Sequence, residues 1–265
     1  MRARPLLLAA LFAAALALAV AAAGCGSDRP TVTVFAAASL ADALRPLEEP
    51  FERQTGVDVR FSFGGSTFLA QVIRRGAPVD VFIAAGPGPM DVLEAEGLVA
   101  PRTRFDLVGN SLVLAVPVEL EDEIAHPEDL LRDNVSRFSM GDPALAPSGV
   151  YTREALERLG LWENLLPKRL LGANVRTALM YITSGTADAA IVYSSDALGV
   201  PDVRVVWRFP DDSHSPVRYP AAALAGADNP EGAASFLAFL RTEEAQAPFR
   251  AEGFRPAPDG ASSSP

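Results

Sequence analysis

The chain has 265 residues, 49% of them apolar, with one cysteine and a formal charge of −10. That length suits one large domain or two lobes of ordinary size. One cysteine excludes an internal disulfide, so stability has to come from a buried core, and the acidic balance argues against a nucleic-acid partner.

Arg2 and Arg4 precede an uncharged, Leu- and Ala-rich stretch from Pro5 to Val20, and Ala22-Ala23-Gly24 then lead to Cys25. A basic start, a short apolar run and a small-residue cleavage site make residues 1–24 an export signal rather than a structural helix. The run is short for a membrane span, and no second one follows. Ala23-Gly24-Cys25 has the form of a bacterial lipobox, although Ala22 stands where Leu is commonest. Cys25 then carries a lipid anchor, which holds the exported protein at the outer face of the cytoplasmic membrane. The alternative is ordinary cleavage near Ala23, which leaves a lone thiol. Residues 25–30 read as a tether. Losing the leader removes Arg2 and Arg4 and no acid, which takes the charge from −10 to −12.

Thr31–Ala36 reads as a buried strand, and Leu40–Gln54 as an amphipathic helix with Leu40, Leu44, Leu47 and Phe51 on one stripe. Gly56 stops it. A strand over Val57–Phe63, a helix over Thr67–Arg75, a strand over Val79–Ala85 and a helix over Met90–Glu96 follow, with Gly76 and Gly97 as stops. Repeated units of this kind predict a mostly parallel sheet covered on both faces. The pattern restarts after Asn110: strands at Ser111–Val116 and Arg137–Met140, helices at Tyr151–Leu159 and Val175–Thr183, and strands at Ala189–Tyr193 and Val203–Phe209. Tyr219–Leu224 is apolar again, and helices over Pro230–Leu240 and Thr242–Ala251 close the fold. The segment 257–265 lacks large apolar residues and reads as a disordered tail. Two sheets without a flexible linker imply lobes joined by crossing strands near Asn110–Ser111 and Ser215–Tyr219.

Four helix starts place a small, hydroxyl or amide residue directly after a strand or loop: Ser39, Ser66, Ser148, and Val175 behind Asn174. A helix start offers unpaired N–H groups and a partial positive charge, so it suits an anion. In open α/β sheets such starts gather at the carboxyl ends of the strands, where ligands bind. Each has a plain structural reading too. Ser39 with Asp42 resembles a capping box, Gly64-Gly65 a turn, and Asn174 a simple cap. Tyr193 ends an apolar strand, either as core or as a donor aimed into a cleft. Arg176 reads as a surface or interlobe salt bridge rather than an anion clamp. His126 and His214 are too few and too far apart for a metal cluster, and His214 is expected to brace the second crossing.

In order, these segments resemble the periplasmic molybdate-binding proteins of ABC transporters, from Val32 to Phe254. The resemblance rests on Val34-Phe35-Ala36-Ala37-Ala38-Ser39-Leu40, Gly76-Ala77-Pro78-Val79-Asp80-Val81-Phe82-Ile83 and Gly109-Asn110-Ser111-Leu112-Val113. It continues through Gly141-Asp142-Pro143, Pro147-Ser148-Gly149-Val150-Tyr151, Val175-Arg176-Thr177-Ala178-Leu179 and Ile191-Val192-Tyr193-Ser194-Ser195-Asp196. Asp212-Ser213-His214 with Tyr219-Pro220 completes it. It implies a periplasmic-binding-protein-like α/β fold: two α/β lobes, a ligand cleft between them and crossing hinge strands. Lobe 1 is then 31–110 with 217–256, and lobe 2 is 111–216. It further implies a monomer without catalysis or cofactor, which captures molybdate or tungstate in the periplasm and delivers it to an ABC permease. Carried over by motif, the donors are hydroxyl and N–H groups of Ser39 and Ser66, backbone N–H groups of Ser148 and Val175, and the Tyr193 hydroxyl. Ser148 replaces the alanine common there, which keeps the backbone donor and adds a hydroxyl.

The rivals are a binder of another oxyanion, such as tungstate or sulfate, and a secreted serine hydrolase. Neither Ser66 nor Ser148 lies in the Gly-x-Ser-x-Gly context that a hydrolase nucleophile of this fold class uses.

Overall fold

The computed structural model describes residues 29–257. The expected leader, Cys25, most of the tether and the tail from 258 onward lie outside the described residues.

Alternating apolar residues build the strands, and the alternation decides which face each side chain covers. In β1 (Thr31–Ala37), Val32, Val34 and Ala36 are fully buried in the main core, while Phe35 packs on the opposite face with Phe82 and Ala222. β1 runs parallel to β2 (Asp58–Gly64) and to β3 (Val81–Ile83). β10 (Arg218–Ala223) then pairs antiparallel with both β3 and β4 (Phe105–Gly109). The first sheet is therefore ordered β2-β1-β3-β10-β4. The second sheet is ordered β7-β6-β8-β5-β9, from β5 (Leu112–Pro117), β6 (Phe138–Gly141), β7 (Arg169–Gly172), β8 (Ala189–Tyr193) and β9 (Val203–Arg208). There β6 is parallel to β7 and β8, and β5 antiparallel to β8 and β9.

Both sheets are thus mixed, not mostly parallel. The cause lies in the connections. β4 carries the chain out of the first sheet through Asn110 into β5, and residues 209–217 bring it back to β10. A strand that re-enters from the far half must run against one that leaves for it.

Three local readings change. The expected helix over Leu40–Gln54 is a broken series: Ala38–Leu40 and Arg45–Leu47 are 3-10 turns, and Ala41–Leu44 and Glu48–Thr55 are α-helical. Pro46 has no N–H to donate and crowds the turn before it. Its stripe still holds, with Leu40, Leu44, Leu47 and Phe51 all buried. β4 and β7 were not expected, because short runs ending in Gly109 and Gly172 carry too little alternation to read. The helix Pro147–Arg158 starts four residues ahead of the expected Tyr151 and opens with Pro147, whose missing N–H costs nothing at a first helical position. Ser148 thereby falls in the first turn.

The helix starts after β1, β2 and β6 and the end of β8 face one another across the cleft. The cleft is shut. Phe68 N–H donates to the Leu145 carbonyl at 3.2 Å, and the described residues from Thr31 onward form a single compact unit.

Candidate functional site

Ser39, Ser66, Ser148, Val175 and Tyr193 all line one cavity of about 10 Å³ between the two sheets. Every one is buried, with exposures from 1% to 4%. No lining residue is charged. A drug-sized ligand pocket spans roughly 300–1,000 Å³, and this cavity is far smaller, which leaves no room for a sugar or an amino acid in the closed form.

Each position arises locally. Ser66 opens the helix Ser66–Arg74 directly after β2, with Gly65 as the preceding extended residue. Its Oγ accepts the Ala85 N–H at 2.9 Å, which leaves the hydroxyl hydrogen uncommitted. Asn174 caps the helix Val175–Thr183 by accepting the Thr177 N–H at 3.1 Å. The N–H of Val175, at the first helical position, stays outside the intrahelical ladder. Ser148 Oγ is buried without a hydrogen-bond partner. Tyr193, at the end of β8, donates across the cleft to the Ala85 carbonyl at 3.3 Å. That is long for an O–H donor, so a nearer oxyanion would take the hydrogen. Burial holds the Tyr193 hydroxyl well above the usual phenol range, and it remains a donor at physiological pH.

Ser39 does not cap its helix, and Asp42 does not answer it, so the capping-box reading is not realised. Its Oγ instead lies 3.0 Å from the Tyr219 hydroxyl. Asn110 sets the direction of that contact. Asn110 Oδ1 accepts the Ser111 N–H at 2.9 Å and the Ser194 hydroxyl at 3.0 Å. Its Nδ2 must then donate, to Ser195 Oγ at 2.8 Å and Tyr219 Oη at 3.2 Å. Tyr219 Oη keeps a second lone pair after accepting from Asn110, but among the described residues Ser39 Oγ is the acceptor that its own hydrogen meets, and with that hydrogen placed there Tyr219 donates to Ser39. The Ser39 hydrogen is left for the cavity. The sequence marks Asn110 and Tyr219 only as crossing positions; in the structure they are the polar backing of the site. A buried Asn at a strand crossing was the available signal, since a buried amide must satisfy all its groups.

Arg176 is an interlobe salt bridge, one of its two expected readings: Nη2 donates to Asp42 Oδ2 at 2.6 Å and Nε lies 2.7 Å from Asp196 Oδ1. His214 Nδ1 donates to the Ser215 carbonyl at 2.8 Å, and His126 packs edge-on against Trp207. Among the described residues no group of three His, Cys, Asp or Glu could hold a metal ion. A larger open groove of about 460 Å³, bounded by Gln71, Pro87, Pro147 and Tyr151, adjoins the cavity. Its mostly apolar walls offer an anion little.

Residues 32–255 match the family described as bacterial extracellular solute-binding protein. The molybdate-binding protein ModA of Escherichia coli (strain K12) is 40% identical over 250 residues, which cover 92% of this chain and 96% of that protein. Among solved structures, the Azotobacter vinelandii periplasmic molybdate-binding protein matches with a TM-score of 0.76 at 23% identity, over 84% of this chain and 98% of its own. The sulfate-binding protein SubI from Mycobacterium tuberculosis H37Rv reaches the same TM-score of 0.76 at 19% identity, over 86% of this chain and 87% of its own. Equal scores for two different anions mean that the fold alone does not select the ligand. The cavity has to.

Proposed function

The chain belongs to the bacterial extracellular solute-binding proteins, and on that premise we propose that it captures molybdate outside the cytoplasm and delivers it to an ABC importer. One observation carries this reading. Hydroxyl and N–H groups from both halves of the fold meet in one small cavity that contains no charged side chain. Oriented dipoles can hold a dianion without a cation when they replace its water in a dry, closed site. Neutral donors also leave no stranded positive charge when the cavity is empty, which reconciles an anion ligand with an acidic chain.

In this reading Ser39 and Ser66 donate through their hydroxyls and helix-start N–H groups, Ser148 and Val175 through backbone N–H, and Tyr193 through its phenol. Bridging the two halves, the anion biases a hinge equilibrium toward the closed form that the permease recognises. Tungstate nearly matches molybdate in size and shape and binds as well. Sulfate is smaller, so closing on it leaves donors stretched or unmade. The strong identity to the molybdate-binding protein of Escherichia coli supports this ligand assignment. Cys25, acylated after removal of the leader, tethers the carrier to the outer face of the membrane.

Calorimetric titration with molybdate, tungstate and sulfate tests the assignment. An unsatisfied buried donor costs about 1–3 kcal/mol, so sulfate should bind at least about ten- to hundredfold more weakly than the other two. Equal affinity for sulfate removes the size argument, and no binding of any of the three removes the function.

A further inference from the structure

Arg176 sits beside the cavity without lining it, and its guanidinium spans the cleft. The helix Val175–Thr183, in which Arg176 holds the second position, packs against the Ala38–Leu40 turn of the other half. From that helix Arg176 reaches back to Asp196, next to the Tyr193 strand end in its own half, at 2.7 Å. It reaches forward to Asp42, on the turn that follows Ser39, at 2.6 Å. Asp196 is wholly enclosed, whereas the Asp42 side chain is about half exposed, at 53%. The two arms therefore do different work. The arm to Asp196 lies wholly within one half, as a close ion pair in which Arg176 Nε and both Asp196 oxygens make no aligned hydrogen bond, so opening of the cleft leaves it in place. The arm to Asp42 exists only while the halves are together.

We infer that the Asp42–Arg176–Asp196 chain is a closure latch, with Arg176 and Asp42 as positioning residues that hold the Val175 and Ser39 donors against a captured anion. The inference rests on the anion-binding reading for its ligand arm but not for its mechanical one. A planar guanidinium can face two carboxylates at once in fixed directions, while an ammonium serves as a single mobile point charge. Because the Asp42 arm must break before the halves part, it slows escape of a captured anion. It also favours the closed form of the empty protein, since a contact made in one state alone shifts the population toward that state.

Asp42→Asn is the cleanest test, because it removes the forward arm and leaves the buried pair intact at an exposed position. Stopped-flow measurement with molybdate should show dissociation about tenfold faster in D42N, a change of about 1.4 kcal/mol, with association no slower, since more of the empty protein is open. R176K, which can serve one carboxylate at a time, should fall between wild type and D42N. Small-angle scattering of the anion-free proteins should give D42N the larger radius of gyration. Identical dissociation rates in wild type and D42N overturn the latch. If the wild-type protein binds none of the oxyanions, the ligand assignment fails while scattering still decides the latch: identical curves for the two empty proteins overturn it, and a more expanded D42N sustains it.

Discussion

A serine hydroxyl has one hydrogen and two lone pairs, and at Ser39 the residues behind it decide where the hydrogen points. Tyr219, backed by Asn110, fills a lone pair of Ser39 when its own hydrogen takes Ser39 as acceptor. Ser66 reaches the same condition by another route, accepting from the Ala85 N–H. Both hydroxyls are thus prepared as donors before any ligand arrives, and little reorganisation is left for binding. Hydrogen bonds to charged groups contribute about 1.5–3 kcal/mol each. Ser39→Ala and Tyr193→Phe should therefore each weaken molybdate binding by roughly ten- to hundredfold in calorimetry, with thermal unfolding of the empty protein close to wild type. Wild-type affinity in both variants would mean that the donors lie elsewhere. Ser39 and Tyr193 were legible in the sequence because a hydroxyl at the end of an apolar strand stands out. Their wiring was not, since Asn110 and Tyr219 lie 109 residues apart along the chain.

At the scale of the element, two glycines show how closely the halves approach. A Cβ on Gly65 would come within 2.5 Å of the Leu145 carbonyl oxygen and 2.6 Å of that of Ala173, both backbone atoms of the opposite half. The Gly65 backbone is ordinary, with φ −65° and ψ 128°, so space and not conformation demands the glycine. Gly64 differs: a Cβ there meets only the Leu69 side chain, at 3.2 Å. Gly65→Ala should keep the cleft from shutting and lower molybdate affinity at least about tenfold, without loss of empty-state stability. Gly64→Ala should bind nearly as wild type. Calorimetry on the pair separates closure from local packing, and equal affinity in both variants would defeat this account of Gly65. From sequence, Gly64-Gly65 reads as a turn or a ligand approach; the contact that Gly65 makes room for belongs to the far half.

For the whole molecule, the cost of placing an acid at the seam appears in its pH response. Burial pushes Asp196 up to about 7, against the Arg176 charge beside it. A group raised from 3.8 to about 7 on folding binds its proton more tightly in the folded state. The stability it confers is complete below about pH 4, is lost as pH rises through about 7, and does not return above. Asp129 and Asp211 are held below the usual carboxylate range and act oppositely, losing their contribution as pH falls. The isolating measurement is the difference between wild type and Asp196→Asn. Chemical denaturation should show wild type losing stability relative to D196N between about pH 4 and 7, and a flat difference would contradict the burial of this carboxylate.

Local physics was enough to read the period-two strands, the Phe51 stripe and the hydroxyl-bearing helix starts from the chain alone, because each is written within about ten consecutive residues. Direction within the sheets was not local. Whether β10 runs with β3 or against it depends on where the chain has been between residues 110 and 217. The same holds for the site: five neutral donors can be named from their neighbours, but only folding brings them around one cavity, orders the Asn110 wiring and sets Asp42 against Arg176. Those contacts join residues separated by as many as 180 positions, and the sequence pattern of each is satisfied equally well without the other.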